Sequence, residues 1–395
     1  MKLRSLLTVL SLATAAVAVP QAAHATEADT EAPVIVDLGH NLTKPVRARQ
    51  RFTPVISDNT AVSKVELVIN GTVVDTDSTP DDGWVLSWNT FAWSGRVDVL
   101  MLAYDAAGNT GRLADTVTVD NLPPTATATV AAHNGWVHGL VPITVSGAEG
   151  DVHEIYIQPG PAIVYPSTPG PWVLKVDTTD RVHASPLSVV VHVLDRAGNR
   201  TNLPVNATVD NAPPTLALPK GPAAGALIRG WLTYEATTFD SNEVTSELLV
   251  NGKRVAAQWM PAKTTATKRL SWNSAGVTGP VKLTVRATDW FGQRREITRT
   301  ITADNSAPSV WISKGPGDKA KVSGKVTIGA SASDKYGVHR VELLVNGKLV
   351  AKDYTSGYSF TLNTAKQSKT MKIQIRAYDR AGNVKYTPSR TWYRR

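Results

Sequence analysis

The chain has 395 residues, no cysteine and a formal net charge of +9, with 42% hydrophobic and 19% charged residues. This composition is that of a soluble protein, and the length is enough for several domains. Because there is no cysteine, disulfides are excluded and stability must come from hydrophobic cores alone.

The first predicted element is a signal peptide over residues 1–25. Lys2 and Arg4 form a basic start, an apolar run extends from Leu6 to about Val19, and Ala23-His24-Ala25 is a small-x-small cleavage site. The run is too short for a transmembrane helix, and no other apolar run approaches that length. We therefore expect a secreted, extracellular protein. Since secreted eukaryotic modules usually carry disulfides, the lack of cysteine favours a bacterial source.

A repeated motif predicts four domains. The segment "YDAAGN" (104–109) returns as "LDRAGN" (194–199), "TDWFGQ" (288–293) and "YDRAGN" (378–383), so that its aspartates are 90, 94 and 90 residues apart. This period is longer than the roughly 20–50 residues of solenoid repeats and indicates a domain array. Proline-containing linkers such as "VDNLPPT" separate the repeats. The predicted domains are 30–120, 121–210, 211–304 and 305–395.

Each repeat has the sequence pattern of a β-sandwich. In "TMKIQIRAYD" (370–379) apolar and polar residues alternate, as in a half-buried strand. Asn-Gly interrupts the apolar runs "LVINGTVV" (67–74), "LLVNGKRV" (248–255) and "LLVNGKLV" (343–350), which predicts type I′ hairpins. About seven strands per repeat and no long amphipathic helix predict an all-β protein of four tandem immunoglobulin-like sandwiches.

These motifs resemble bacterial Ig-like domains. The resemblance lies in the "VELLVNGK" hairpin, the "VxAxDxAGN" hairpin and the closing "TVDNxPP", and it covers nearly all of the chain after the signal peptide. The second repeat lacks the Asn-Gly turn, and the third lacks Ala-Gly-Asn. The resemblance implies an extracellular adhesion, spacer or accessory module.

The repeated aspartate has two interpretations. It can be a turn residue that accepts hydrogen bonds from backbone N–H groups two or three residues on, while Gly108, Gly198, Gly292 or Gly382 adopts the left-handed conformation. Alternatively, linker, loop and hairpin residues meet at each junction and bind calcium, with no other cofactor expected. The three sets are Asp120, Asn121, Asp151, Asp195; Asp210, Asn211, Asp240, Asp289; and Asp304, Asn305, Asp334, Asp379.

No enzyme signature is present. The chain contains no G-x-S-x-G, H-E-x-x-H or P-loop motif, and its histidines are scattered. The predicted sandwich repeats also account for all of the chain after the signal peptide, which leaves no room for a catalytic domain. We therefore predict a non-catalytic protein, with an enzyme whose site is unrecognised as the least favoured alternative.

The charge is unevenly distributed. The four predicted domains carry −5, −3, +5 and +12 in chain order, and the last has 17 basic and 5 acidic residues. Five basic residues could form a face on the last domain: Arg340, Lys348, Lys372, Arg376 and Lys385. Such a face would attract the cell envelope, a cell-wall glycan or another anionic polymer; a merely solvated surface is the alternative. A surface protein is another candidate partner, whereas nucleic acid is disfavoured because the protein is exported and lacks a recognition motif.

Four aromatic residues are candidates for carbohydrate binding: Trp84, Trp93, Trp290 and Phe291. The last two replace small residues at a hairpin tip, where apolar bulk is unexpected. Exposed rings can stack on sugars, as in an accessory protein of carbohydrate-active systems. Alternatively, these rings pack against a neighbouring domain.

Overall fold

The computed structural model describes residues 28–79, 81, 83–147 and 151–395. The predicted signal peptide lies outside the described residues. The protein is all-β, as predicted, and the described residues include short 3₁₀ turns at Thr90–Ala92 and Thr364–Lys366. No helix in the described part is long and apolar enough to cross a membrane.

The first repeat has eight strands. They are β1 (Val34–Asp37), β2 (Arg49–Phe52), β3 (Val55–Ser57), β4 (Val62–Ile69), β5 (Thr72–Asp77), β6 (Leu86–Asn89), β7 (Gly95–Asp105) and β8 (Thr110–Val119). One layer is the four-stranded sheet β5-β4-β7-β8, and the other contains the pairs β1-β3 and β2-β6. Phe52, Leu67, Leu86 and Trp88 fill the core between the layers.

The second repeat also has eight strands. They are β9 (Thr127–Val130), β10 (Trp136–Val137), β11 (Leu140–Ser146), β12 (Val152–Gln158), β13 (Ile163–Val164), β14 (Trp172–Asp177), β15 (Pro186–Asp195) and β16 (Arg200–Val209). Strand β12 pairs antiparallel with β13 and with the Val190–Asp195 part of β15, and β10 pairs parallel with β16.

The third and fourth repeats share one topology. The third comprises β17 (Thr215–Lys220), β18 (Leu227–Ile228), β19 (Trp231–Phe239), β20 (Val244–Val250), β21 (Lys253–Met260), β22 (Ala266–Asn273), β23 (Gly279–Thr288) and β24 (Arg294–Ala303). The fourth comprises β25 (Ser309–Lys314), β26 (Lys321–Val322), β27 (Lys325–Ser333), β28 (Val338–Val345), β29 (Lys348–Asp353), β30 (Ser359–Asn363), β31 (Thr370–Asp379), β32 (Val384–Tyr386) and β33 (Arg390–Arg394). The sheet orders are β17-β19-β22 and β18-β24-β23-β20-β21, then β25-β27-β30 and β26-β33-β31-β28-β29, with β32 beside β31.

Side-chain alternation builds these cores as predicted. On β31, Met371, Ile373, Ile375 and Ala377 are fully buried, and the residues between them lie on the outer face. The three predicted Asn-Gly turns have positive φ at both residues, for example 51° at Asn346 and 76° at Gly347. This is the backbone of a type I′ hairpin.

The chain forms two compact units. The first contains the described residues up to Ala128, with Val145–Trp172 and Val190–Leu203. The second contains Thr129–Thr144, Val173–Val189 and Pro204–Arg395. The entrance of every repeat, where the preceding linker meets its hairpin, lies within one of these units.

Candidate metal centres

The repeated aspartate is a buried turn residue. In the first repeat, Asp105 Oδ1 accepts a hydrogen bond from the Asn109 backbone N–H at 2.8 Å, and Oδ2 accepts one from Asn109 Nδ2 at 2.7 Å. The bond therefore spans four residues, not the two or three expected from the sequence. Gly108 closes the turn with φ 93°, a conformation that costs glycine little. Asp195 with Asn199, and Asp379 with Asn383, repeat both bonds.

The last residue of each hairpin motif also fastens the hairpin to the segment that enters the repeat. Its side-chain amide donates to the backbone carbonyl of an aspartate in that segment at 2.9–3.1 Å. The pairs are Asn109 with Asp29, Asn199 with Asp120, Gln293 with Asp210, and Asn383 with Asp304. This contact brings the entering aspartate next to the hairpin aspartate.

Three carboxylates meet at the entrance of each repeat. One comes from the entering segment, one from the loop before the central strand and one from the hairpin, and in each trio one oxygen from every residue lies within 4.8 Å of the others. The trios are Asp29, Asp58, Asp105; Asp120, Asp151, Asp195; Asp210, Asp240, Asp289; and Asp304, Asp334, Asp379. The last three contain every aspartate of the predicted calcium sets. The first was missed, although Ala28-Asp29 and Ala32-Pro33 match Ala303-Asp304 and Ala307-Pro308 in spacing.

Burial and mutual repulsion disfavour the charged forms of four of these acids. Burial, reinforced by the charges of Asp210 and Asp289, raises the pKa of Asp240 to about 6, against an opposing backbone hydrogen bond from Asn242. Burial and neighbouring carboxylates also raise the pKa values of Asp151, Asp289 and Asp304. A bound cation would offset this repulsion.

Several buried atoms in or beside three of the trios lack a hydrogen-bond partner among the described residues. They are Asp58 Oδ1 in the first repeat, Asp289 Oδ2 and Asn242 Oδ1 in the third, and Asp304 Oδ2 in the fourth. Asn242, Asp289 and Asp304 are at most 7% exposed, so each of their unpaired oxygens carries an uncompensated desolvation cost. Oxygen ligands around calcium lie at about 2.3–2.6 Å, so opposite ligands are ~5 Å apart, a span that the trios match. The residues present therefore fit a divalent cation.

The linker asparagines face the preceding repeat. Asn121 Oδ1 accepts from the Ala48 N–H and the Thr90 hydroxyl, both at 2.9 Å, and its Nδ2 donates to the Thr90 carbonyl. Asn211 and Asn305 bond to the preceding repeat in the same way. These carboxamides were predicted as calcium ligands, but their polar atoms are engaged outside the trios. The Asp-Asn pair thus joins two repeats: the Asn side chain bonds to the preceding repeat, and the Asp bonds to the hairpin of the following repeat.

The five basic residues predicted on the fourth repeat differ in their surroundings. Arg340 Nε and Arg376 Nε donate to the buried Glu342 carboxylate at 2.7 and 2.8 Å. The remaining three, Lys348, Lys372 and Lys385, are exposed and make no ion pair among the described residues. Among these five residues, the positive charge that is free of ion pairs therefore comes from the lysines.

The aromatic candidates contact other parts of the protein. Trp84 and Trp93 are partly buried against the core of the first repeat. Trp290 stacks on His133 at 3.7 Å between ring centroids, and Phe291 lies 5.8 Å from His138, so the third repeat's hairpin tip contacts the second repeat. Trp290 keeps 59% of its surface exposed. Carbohydrate binding by these rings stays a prediction.

Comparisons with known proteins agree with this architecture. Residues 308–379 match the bacterial Ig domain family. No curated protein matches the chain.

Several solved structures are similar to the chain at low identity. A Ca²⁺-stabilized adhesin that helps an Antarctic bacterium bind ice is 18% identical, with 93% of this chain and 100% of that chain covered and a TM-score of 0.37. A tetra-tandem repeat from the extending region of a large adhesion protein is 17% identical, with 91% and 97% covered and a TM-score of 0.31. Fibronectin(III)-like modules of Clostridium thermocellum CbhA are 19% identical, with 46% and 94% covered and a TM-score of 0.33. TM-scores this low carry no information about the function of this chain. The family match covers the fourth repeat, residues 308–379, and the other three repeats share its hairpins and its antiparallel sheet pairing.

Proposed function

We propose that this protein is an extracellular, non-catalytic adhesion or spacer protein whose repeats are fixed to one another by calcium. The observation that carries the proposal is the recurrence of the same carboxylate trio at every repeat entrance. A single acidic cluster is common on protein surfaces. Four equivalent clusters, each combining an entering segment, a loop and a hairpin, indicate a function at the connections.

Calcium would act by joining the entering segment, the loop and the hairpin through their carboxylates. At the entrance of the fourth repeat it would link Asp304, Asp334 and Asp379, neutralise their repulsion and give the unpaired Asp304 Oδ2 a partner. A ligand that binds only the folded state stabilises it by about 2.7 kcal/mol at a hundred times its Kd. Stiffened connections would suit a protein that holds a binding region away from the cell.

The fourth repeat is proposed as the region that contacts an anionic polymer of the cell envelope. Its net charge of +12 exceeds that of the whole chain, and Lys348, Lys372 and Lys385 supply free charge beside the arginines paired with Glu342. Attraction of this kind falls as salt screens it, over a Debye length of about 10 Å at 0.1 M.

The calcium proposal is tested by thermal unfolding of the chain without its signal peptide, in calcium or in chelator. We expect calcium to raise the unfolding temperature by several degrees. The informative variant is Asp334→Asn, because losing one of three repelling charges should stabilise the metal-free fourth repeat while reducing its gain from calcium. Asp115→Asn, an exposed acid outside the trios, is the control. Identical melting in calcium and chelator would contradict the proposal.

Polymer binding is tested by co-sedimentation with bacterial cell walls and insoluble polysaccharides across a salt series. The triple variant Lys348→Gln, Lys372→Gln, Lys385→Gln should pellet less at low salt than the unaltered chain. A matched triple variant in the third repeat, Lys253→Gln, Lys263→Gln, Lys282→Gln, removes the same charge from exposed positions. If both variants lose binding equally, only net charge matters and the fourth repeat is not a dedicated contact.

A further inference from the structure

The loop before β15 in the second repeat has an insertion that carries a histidine. In the first repeat the linker Asn amide donates to the Trp93 carbonyl, and the next long strand starts two residues later, at Gly95. In the third repeat it donates to the Val277 carbonyl, and the next long strand again starts two residues later, at Gly279. In the second repeat the equivalent residue is Arg181, and β15 starts five residues later, at Pro186. The additional residues include His183.

His183 lies against the trio of the third repeat. Its Nδ1 is 3.1 Å from Asp210 Oδ1, and its ring is nearly parallel to that of Trp136, with centroids 5.7 Å apart. This buried nitrogen is nevertheless without a hydrogen bond of acceptable geometry. Two ligands at right angles, each ~2.1 Å from a metal ion, are ~3.0 Å apart. The separation of His183 Nδ1 and Asp210 Oδ1 is therefore compatible with two adjacent ligands of one metal ion.

Further unpaired atoms belong to the same cluster. Asn242 donates its amide N–H to Asp210 Oδ2, which leaves the fully buried Asn242 Oδ1 without a partner. Asp289 Oδ2 is also unpaired, because Gln293 stands where the other hairpins have Asn and its amide reaches the Asp210 carbonyl instead. The three carboxylates thus have an unpaired amide oxygen and an imidazole nitrogen beside them, both on residues that contact Asp210.

We propose that the cluster of Asp210, Asp240, Asp289, Asn242 and His183 is a site for a first-row transition-metal dication. This rests on the proposed function, in which the trios bind metal, and it assigns one of the four to a different class of ion. Among the described residues, the other three trios consist of aspartates alone. Hard calcium prefers oxygen ligands, whereas imidazole suits Zn²⁺, Co²⁺ and Ni²⁺.

The proposal is tested on the full chain stripped of metal, with Co²⁺ as a spectroscopic probe. One equivalent of Co²⁺ should give a visible absorption band that Zn²⁺ removes stoichiometrically, whereas calcium removes it only in large excess. His183→Gln should weaken Co²⁺ binding at least tenfold and leave the calcium-dependent rise in unfolding temperature in place. That rise also reports that the variant is folded. His153→Gln, which alters an exposed histidine of the same repeat, should change neither result.

The outcomes separate this inference from the proposed function. Unchanged Co²⁺ affinity in His183→Gln, or equal competition by calcium, overturns the transition-metal site even if calcium stabilises the chain. If calcium has no effect but Co²⁺ binds in a manner dependent on His183, the site stands and the proposal of calcium-bound connections fails.

Discussion

At the scale of single residues, a buried acid explains why the fourth repeat has fewer free charges than its composition indicates. Glu342 is 1% exposed and bonds to Arg340 and Arg376, which also lie near the ring of Tyr378. The first repeat has a less buried counterpart, in which Glu66 accepts from Lys64 Nζ at 2.8 Å and from the Tyr104 hydroxyl at 3.0 Å. These outer-face charges are thus part of the sandwich, and an argument from net charge alone overstates the binding face.

The buried ion-pair network should contribute measurably to stability. Glu342→Gln leaves two arginines without their carboxylate. We expect the free energy of unfolding to fall by about 1–3 kcal/mol, because the substitution removes the buried charged acceptor of their hydrogen bonds. Amide hydrogen exchange of β28 and β31 should accelerate accordingly. The control is Glu296→Gln, which breaks a surface pair with Arg286 at 2.6 Å and should cost less than about 1 kcal/mol. Equal effects would show that the burial of Glu342 contributes nothing.

The same network predicts a dependence of stability on pH. Burial alone would raise the pKa of Glu342, but hydrogen bonds from Arg340 and Arg376 outweigh it and lower the pKa below the ordinary value of 4.5. The folded state therefore binds the proton less readily than the unfolded state, so the contribution is fully present above about pH 4.5 and is lost as the pH falls through the lower folded pKa. Protection of the β28 amides, relative to their intrinsic exchange rates at each pH, should fall over this acidic range in the unaltered chain, and Glu342→Gln should remove that part of the pH dependence.

At the scale of strands and hairpins, the sequence predicted the features that depend on a local residue pattern, namely strand alternation and tight turns. Alternation identified the buried residues of β31, and Asn-Gly located the β4-β5, β20-β21 and β28-β29 turns. The short parallel strands β10, β18 and β26 were missed, because two residues are too few for a periodic signal and their pairing is with a distant strand. Residues from the linker, the loop and the hairpin could be grouped because the fold is known to bring them together. The position of His183 could not, since an inserted loop has no equivalent in the other repeats.

The third hairpin offers a test of how the last motif residue controls the site. Gln293→Asn restores the residue of the other hairpins, whose amide bonds both the entering carbonyl and the aspartate Oδ2. The variant should stabilise the metal-free protein by about 1 kcal/mol, because it satisfies Asp289 Oδ2. It should also reduce stabilisation by added metal, since that oxygen is then engaged. The measurement is thermal unfolding in chelator and in metal; a variant that gains stability equally in both would show that Asp289 Oδ2 is not a ligand.

At the scale of the whole molecule, the order of charges predicts behaviour that no single repeat has. The repeats carry −5, −3, +5 and +12 along the chain, so the acidic repeats of one copy attract the basic repeats of another. We expect size-exclusion chromatography to give an apparent mass above that of one chain near 0.01 M salt, where the Debye length is about 30 Å, and that of one chain near 0.3 M. Copies of the lysine triple variant of the fourth repeat should dissociate from one another at a lower salt concentration than copies of the unaltered chain. Because an anionic polymer would occupy the same lysines, adding it at low salt should also dissociate the copies. An apparent mass that is independent of salt would mean that this charge asymmetry does not drive self-association, and would leave the basic repeat available for polymer alone.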